Sequence, residues 1–349
     1  MAPPLPGEDL GLILAKTHRL WHEMRDEQIF ITGGTGFFGC WLVESFAYIN
    51  RLEGLNARAS VLTRNPEAFR RNCPHLAADP AITLLAGDVR SFSYPDQEFK
   101  YVIHAATESS AKDVPESPLE TLATILQGTE RTLKFAASHG TEKFLFVSSG
   151  AVYGRQRGGP VAEDERSGPD PLDPSSAYAE GKRAAELMCS LYAEHSEMEC
   201  KIARCFAFVG PHLPLDAHFA IGNFIRDAMR GGPIEIHGDG SPRRSYLYAA
   251  DLAIWLWTLL FQGPSMQAFN VGSEEAISIR ELAQAVVAEL SPRVQVKIAR
   301  DPAEGQEIQQ YVPSTQRARL QLGLAQNVAL SEAIRRTAAW YSQRPKGDG

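Results

Sequence analysis

The eight residues TGGTGFFG at 32–39 close the apolar run QIFIT (28–32) and open the helical stretch CWLVESFAYINRL. A strand that turns at once into a helix needs a tight loop. Gly33, Gly36 and Gly39, spaced G-x-x-G-x-x-G, supply it and let an anionic group approach the first free N–H groups of the helix. Alone, such a glycine pattern is weak. Its place as the first strand–loop–helix unit of an alternating chain gives it weight.

That alternation continues. ASVLT (59–63), ITLLAGDV (82–89), YVIHAA (101–106), KFLFVSS (143–149) and CKIARCFAFVG (200–210) are short apolar runs. Between the last three stand PLETLATILQGTERTLKFAASH (118–139) and a helix from Tyr178 to about His195. Continuous apolar strands alternating with helices predict parallel strands buried on both faces, a doubly wound α/β sheet. After residue 210 the alternation weakens. AFNVGS (268–273) reads as one return to the main sheet, and the remainder as a smaller α/β lobe. The expected divisions are 1–27 as an extension; 28–205 with 244–272 as the dinucleotide-binding body; and 206–243 with 273–349 as the substrate-binding lobe. Residues 1–7, rich in proline, are expected to be disordered, and 8–25 to form one amphipathic helix.

A net charge of −7 and a pI near 5.8 argue against a general nucleic-acid or membrane-surface binder. No run approaches the roughly 18 apolar residues that span a bilayer, and the N-terminus does not read as a signal peptide. Five cysteines at 40, 73, 189, 200 and 205 include no C-x-x-C pair. They predict reduced, mostly buried thiols in a cytoplasmic protein, and no metal site.

Tyr178 and Lys182 lie four apart at the start of a helix, hence on one face. An ammonium beside a phenol favours the phenolate, so the pair reads as an acid/base tuned towards working pH. Beside a bound dinucleotide it becomes a proton donor. The second strand ends Thr63-Arg64 with no carboxylate to meet ribose hydroxyls. Arg64 suits a 2′-phosphate, so NADP is favoured and NAD remains possible. Asp88 is a candidate for the adenine amino group.

Together TGGTGFFG, GDV (87–89), HAA (104–106), SSGAVYG (148–154), YAEGK (178–182), ARCF (203–206), NFI (223–225), GDGSPRRSYLYAADLA (238–253) and FNVGS (269–273) resemble the extended short-chain dehydrogenase/reductases. The chain is similar to those that modify nucleotide sugars, the NAD-dependent epimerase/dehydratases, and YAEGKRAAELMC looks like UDP-glucuronate decarboxylases. The resemblance implies a Rossmann-type sheet with a smaller C-terminal α/β substrate lobe. It implies a catalytic set of Ser149, Tyr178 and Lys182. Cofactor contacts would come from Gly33, Gly36, Phe37, Phe38, Gly39, Thr63, Arg64, Asp88, Val89, Ala105, Ala106 and Lys182. A nucleotide-diphosphate sugar would meet Ser149, Asn223, Arg243 and Arg244. Two copies would pair through the helices at 118–139 and 176–195.

Departures from the family pattern narrow the chemistry. Dehydratases carry acids at the positions of Gly150 and Ala151, and decarboxylases a Glu at Ala151; neither Gly nor Ala moves a proton. Ala207 and Ile125 stand where asparagines are usual. His212, Asp216 and His218 lie close by in sequence and are candidates to restore polarity without a metal. The expectation is therefore hydride transfer at sugar C4, as a 4-ketoreductase or 4-epimerase. The alternatives are an NDP-uronate decarboxylase or 4,6-dehydratase, an oxidoreductase of a non-sugar ketone, and a non-catalytic dinucleotide-binding regulator.

Overall fold

The computed structural model of the chain describes residues 1–106, 117–156, 158–217, 219–301 and 308–344. Its strands are β1 (Gln28–Thr32), β2 (Arg58–Thr63), β3 (Ile82–Ala86), β4 (Tyr101–His104), β5 (Lys143–Ser149), β6 (Glu199–Cys205), β7 (Phe208–Val209), β8 (Ile234–Ile236), β9 (Arg243–Arg244), β10 (Leu247–Tyr248), β11 (Ala268–Val271), β12 (Ile277–Ser278), β13 (Val296–Ile298) and β14 (Gln310–Tyr311). The helices are α1 (Gly7–Thr17), α2 (Phe37–Glu53), α3 (Pro66–Asn72), α4 (Pro74–Ala77), α5 (Pro118–Ser138), α6 (Ala177–Glu194), α7 (Ala220–Arg230), α8 (Ala249–Gln262), α9 (Ile279–Leu290), α10 (Gln316–Leu322) and α11 (Leu330–Ser342).

Seven strands form one parallel sheet in the order β3-β2-β1-β4-β5-β6-β11. This is the expected Rossmann-type doubly wound architecture. Chain order reverses between β1 and β4, so the loops leaving these strands diverge and open a crevice there. Along β1 the side chains alternate between two cores. Ile29 and Ile31 join the core shared with α1, α2 and α8, while Phe30 joins the core shared with α5 and α6. Helix α8 is apolar all round, and its residues from Ala249 to Phe261 are all buried. A helix of that composition has to be covered on every side. Here α1 and α2 do so, and the Trp257 indole donates to Ser45 Oγ on α2 at 2.9 Å.

The N-terminal residues depart from expectation: they are not loose. Ala2 and Leu5 are buried, the Leu5 N–H donates to Glu44 Oε1 at 2.7 Å, and the Trp340 indole donates to the carbonyls of Pro3 and Pro4. Prolines lack an N–H but keep their carbonyls, and a partner more than 300 residues away satisfies these. The predicted helix over 8–25 ends at Thr17. A short 3₁₀ turn (Trp21–Met24) follows, tied back by a bond from Trp21 Nε1 to Thr17 Oγ1. Asp9 on α1 is fully buried, accepts from Tyr248 Oη at 2.7 Å and pairs with Arg336 on α11.

The C-terminal lobe packs α7, α9 and α11 together beside two small sheets, β8 with β13 and β12-β9-β14. The second of these carries Arg244 and Tyr311 side by side towards the end of β5. Among the described residues, no helix is long and apolar enough to cross a membrane.

Candidate active site

The glycine loop turns at the crevice. A side chain on Gly33 (φ +72°) would lie 2.6 Å from the Ala105 backbone, and one on Gly39 would lie 2.3 Å from the Gly33 carbonyl oxygen. Only glycine permits this approach of β1, β4 and α2. Gly36 caps α2 in extended geometry, leaving the N–H groups of its first turn towards the crevice. Thr35 and Thr63 hydroxyls meet at 3.3 Å, and Thr35, Thr63, Arg64 and Asn65 line a cavity of about 650 Å³. A glycine turn that opens on the unpaired N–H groups at the start of α2 fits the pyrophosphate of a dinucleotide. Three expected contacts, Asp88, Phe38 and Val89, are otherwise engaged. The Asp88 carboxylate holds the Arg90 guanidinium through two bonds of 2.9 Å, which keeps its pKa below the usual range. Phe38 turns its ring edge onto Phe208, and Val89 packs against Gly128 of α5.

Helix α6 brings Tyr178, Lys182 and Glu186 onto one face. Glu186 clamps that face to the sheet. It accepts from Ser148 Oγ at 2.6 Å and from Arg204 Nη2 at 2.7 Å, and Arg204 Nη1 in turn donates to Tyr153 Oη at 2.9 Å. The clamp sets Tyr178 close to Ser149, whose hydroxyl acts to lower the Tyr178 pKa. The Ser149 hydroxyl also accepts from the Ala151 N–H at 3.1 Å.

The expected lowering of the Tyr178 pKa by Lys182 is absent. Burial raises the Tyr178 pKa, opposed by the nearby Ser149 hydroxyl. Lys182 is 2% exposed; its ammonium donates to the Val147 carbonyl at 2.7 Å and lies 4.8 Å from the centre of the Phe146 ring. Burial pushes its own pKa down to about 8. Desolvation outweighs the attraction that the i, i+4 spacing suggested. His104, bonded to Thr32 and Thr129, is held neutral, its pKa lowered to about 3 by burial and then by Lys182.

Tyr311 completes the site and escapes any reading by motif. Its hydroxyl lies 3.4 Å from Ser149 Oγ, its ring lies tilted against Phe206 with centroids 4.7 Å apart, and the Arg244 guanidinium sits 5.8 Å from the ring centre. Burial raises its pKa well above the ordinary phenol value. No local spacing links residue 311 to residues 149 and 178; the pairing of β14 with β9 brings it in. Of the two expected arginines, Arg244 faces the site. Arg243 does not: it donates to the Ala276 carbonyl and pairs with Glu281 at 3.7 Å. Asn223 lies within α7, where its Oδ1 accepts from Arg226 at 3.1 Å.

Gly150 has a steric cause, because a side chain there would strike the Phe206 ring at 2.6 Å. Ile125 is core, packed across Gly181 of α6. His212 faces away from this set, towards Cys40 and Cys73, and Asp216 is exposed. His218 lies outside the described residues.

The model of the NAD dependent epimerase/dehydratase family matches residues 29–272. Among curated proteins, the chain is 29% identical over 317 residues to UDP-glucuronic acid decarboxylase 1 of Danio rerio, covering 91% of this chain and 73% of that protein. It is 28% identical over 307 residues to UDP-glucuronic acid decarboxylase 6 of Arabidopsis thaliana, covering 88% and 86%. Among solved structures, a UDP-glucose 4-epimerase of Thermotoga maritima with UDP-glucose superposes with a TM-score of 0.73 at 21% identity, covering 90% and 98%. A UDP-glucuronic acid 4-epimerase of Bacillus cereus in complex with NAD gives 0.74 at 20% identity, covering 90% and 99%.

Proposed function

The chain belongs to the NAD dependent epimerase/dehydratase family, and from that premise we propose that it oxidises C4 of a nucleotide-linked sugar, with Tyr178 moving the proton. The observation that carries this reading is Ser149 Oγ held between the Tyr178 and Tyr311 phenols, with Lys182 buried one turn along α6. A bound nicotinamide would supply the hydride acceptor and donor. Gly33, Gly36 and Gly39 would hold its pyrophosphate, and Thr63 and Arg64 its adenosine end. Arg64 supports NADP; NAD is the cofactor in the family's description.

At the sugar, Tyr178 takes the proton of the C4 hydroxyl and later returns it to the C4 oxygen. Ser149 holds that oxygen in line. Arg244 meets the diphosphate, with Asn223 on the facing helix. A ketone at C4 makes a C6 carboxylate a β-keto acid. Its loss of CO₂ breaks the C5–C6 bond and leaves the electron pair on the C4 enolate, which then takes a proton at C5 from water, so no side-chain acid at 150 or 151 is needed. Uronate decarboxylation is therefore compatible with Gly150 and Ala151, and the curated relatives favour it. A 4-epimerase or 4-ketoreductase is the second reading, favoured by the same two residues because it needs only the C4 proton and hydride. Two copies would pair through α5 and α6, which expose Leu119, Leu187 and Leu191. Five free, buried thiols suit the cytoplasm.

The test is product analysis by mass spectrometry and NMR with UDP-glucuronate and UDP-glucose, each with NAD⁺ or NADP⁺. CO₂ and a UDP-pentose mark decarboxylation, and a C4 epimer marks the second reading. Cofactor binding without any turnover marks a regulator. Tyr178→Phe should lower turnover by roughly 10²–10⁴-fold with cofactor affinity retained. Undiminished turnover in that variant would overturn the mechanism.

A further inference from the structure

Three metal-type donors that no sequence spacing connects meet on the wall of the 650 Å³ cavity. Cys40 lies in the second turn of α2, Cys73 between α3 and α4, and His212 in the loop after β7. They are separated by 33 and 139 residues, yet their ligand atoms all lie within 4.8 Å of one another. Cys40 and Cys73 are each 3% exposed, and Cys40 Sγ donates to the Thr35 carbonyl at 3.7 Å. His212 Nε2 is shut off from solvent and has no hydrogen-bond partner. A buried imidazole nitrogen without a partner is costly unless something meets it. The loop holds His212 at φ 68°, a left-handed conformation uncommon outside glycine, and its ring packs on Trp340 at 4.6 Å.

We propose that Cys40, Cys73 and His212 form a zinc(II) site. Two thiolates and an imidazole are the donor set of a tetrahedral zinc centre, and the fourth position faces the cavity that all three residues line. Zn–S bonds of about 2.3 Å and a Zn–N bond of about 2.0 Å place donors roughly 3.5–3.8 Å apart in a tetrahedron. The donors here lie within 4.8 Å of one another, so binding would draw them together by about 1 Å. Binding releases the two thiol protons, so the thiolates neutralise the cation. The Glu44–His75 pair at 3.2 Å stands beside the cluster, and the Arg344 guanidinium lines the same cavity. The metal would bind α2, the helix that begins at the glycine loop, to the α3–α4 turn and to the loop leading into the substrate lobe. It would stiffen the wall of the cavity that Arg64 also lines. The site does not depend on which sugar the enzyme takes.

The experiment uses the full chain, stripped with chelator under reductant and titrated with Co²⁺ and then Zn²⁺. Expected are one equivalent of cobalt with thiolate-to-metal charge-transfer absorption, its displacement by zinc, and a higher Tm with zinc bound. Cys73→Ser and His212→Ala should each weaken binding by more than the roughly 10–100-fold that loss of an outer-shell partner costs. Cys200→Ser, a thiol that neighbours Cys189 in the other core, should leave the titration unchanged. If Cys73→Ser fails to fold, as judged by circular dichroism, His212→Ala on its loop decides. The proposal is overturned by folded protein that gives no charge-transfer band, by a band insensitive to Cys73 and His212, or by a Cys40–Cys73 disulfide in protein purified without reductant.

Discussion

Replacing Lys182 by methionine should make the protein more stable at neutral pH while destroying its activity. The ammonium is nine-tenths or more buried, and its pKa falls from 10.5 to about 8. At about 1.4 kcal/mol per tenfold change, holding it charged at pH 7 costs about 3 kcal/mol of folding free energy. Methionine removes that cost. It also removes the donor to the Val147 carbonyl and the contact with the Phe146 ring, losses of about 1–2 kcal/mol together. The net gain is about 1–2 kcal/mol, or about 2–4 °C in Tm for a chain of this size. The sign follows from proton counting. Between pH 8 and 10.5 the unfolded lysine binds its proton while the folded one releases it, so this group's contribution to stability rises with pH in that window. The methionine advantage should be largest at pH 7 and fade towards pH 10. Tyrosines that titrate in the same range do so in both proteins and cancel in the difference. The assay is thermal unfolding of both proteins at pH 7, 8.5 and 10. A methionine variant less stable at pH 7, or a gap that does not shrink with pH, would refute the burial argument.

Gly39→Ala places a methyl group against the Gly33 and Gly34 backbone, which cannot give way; stability should fall by about 1–3 kcal/mol and dinucleotide affinity by more than tenfold, measured by thermal unfolding and cofactor fluorescence. Arg336→Leu leaves Asp9 buried with only Tyr248, at a cost of about 3–5 kcal/mol; the double variant with Asp9→Leu should recover most of it in denaturant titrations. Arg64→Ala should raise KM for NADP far more than for NAD, and equal changes would remove the 2′-phosphate assignment.

Much of the body was legible in the sequence because its signals are local. An apolar run, a glycine turn and a helical period each sit within about twenty residues, and β1 to β6 fall within a few residues of where those patterns place them. The Tyr178–Lys182 face was legible for the same reason. What pattern could not carry was tertiary. The prolines at 3 and 4 are ordered by Trp340, Tyr311 reaches Ser149 through a two-residue strand pairing, and Cys40, Cys73 and His212 converge from three separate elements. The direction of the Tyr178 shift was misjudged because spacing reports which charges are near but not how dry the site is.

The pairing of Asp9 with Arg336 spans 327 residues. On a ribosome adding roughly 5–20 residues per second, the first helix waits about 15–65 s for the partner of its buried carboxylate. Until α11 emerges, α1 can lie on α8 only by leaving that charge uncompensated. The last turns of the chain therefore finish the packing of the first, and a nascent chain stalled before residue 336 would expose the apolar faces of α1 and α8 to whatever holds unfinished proteins in solution.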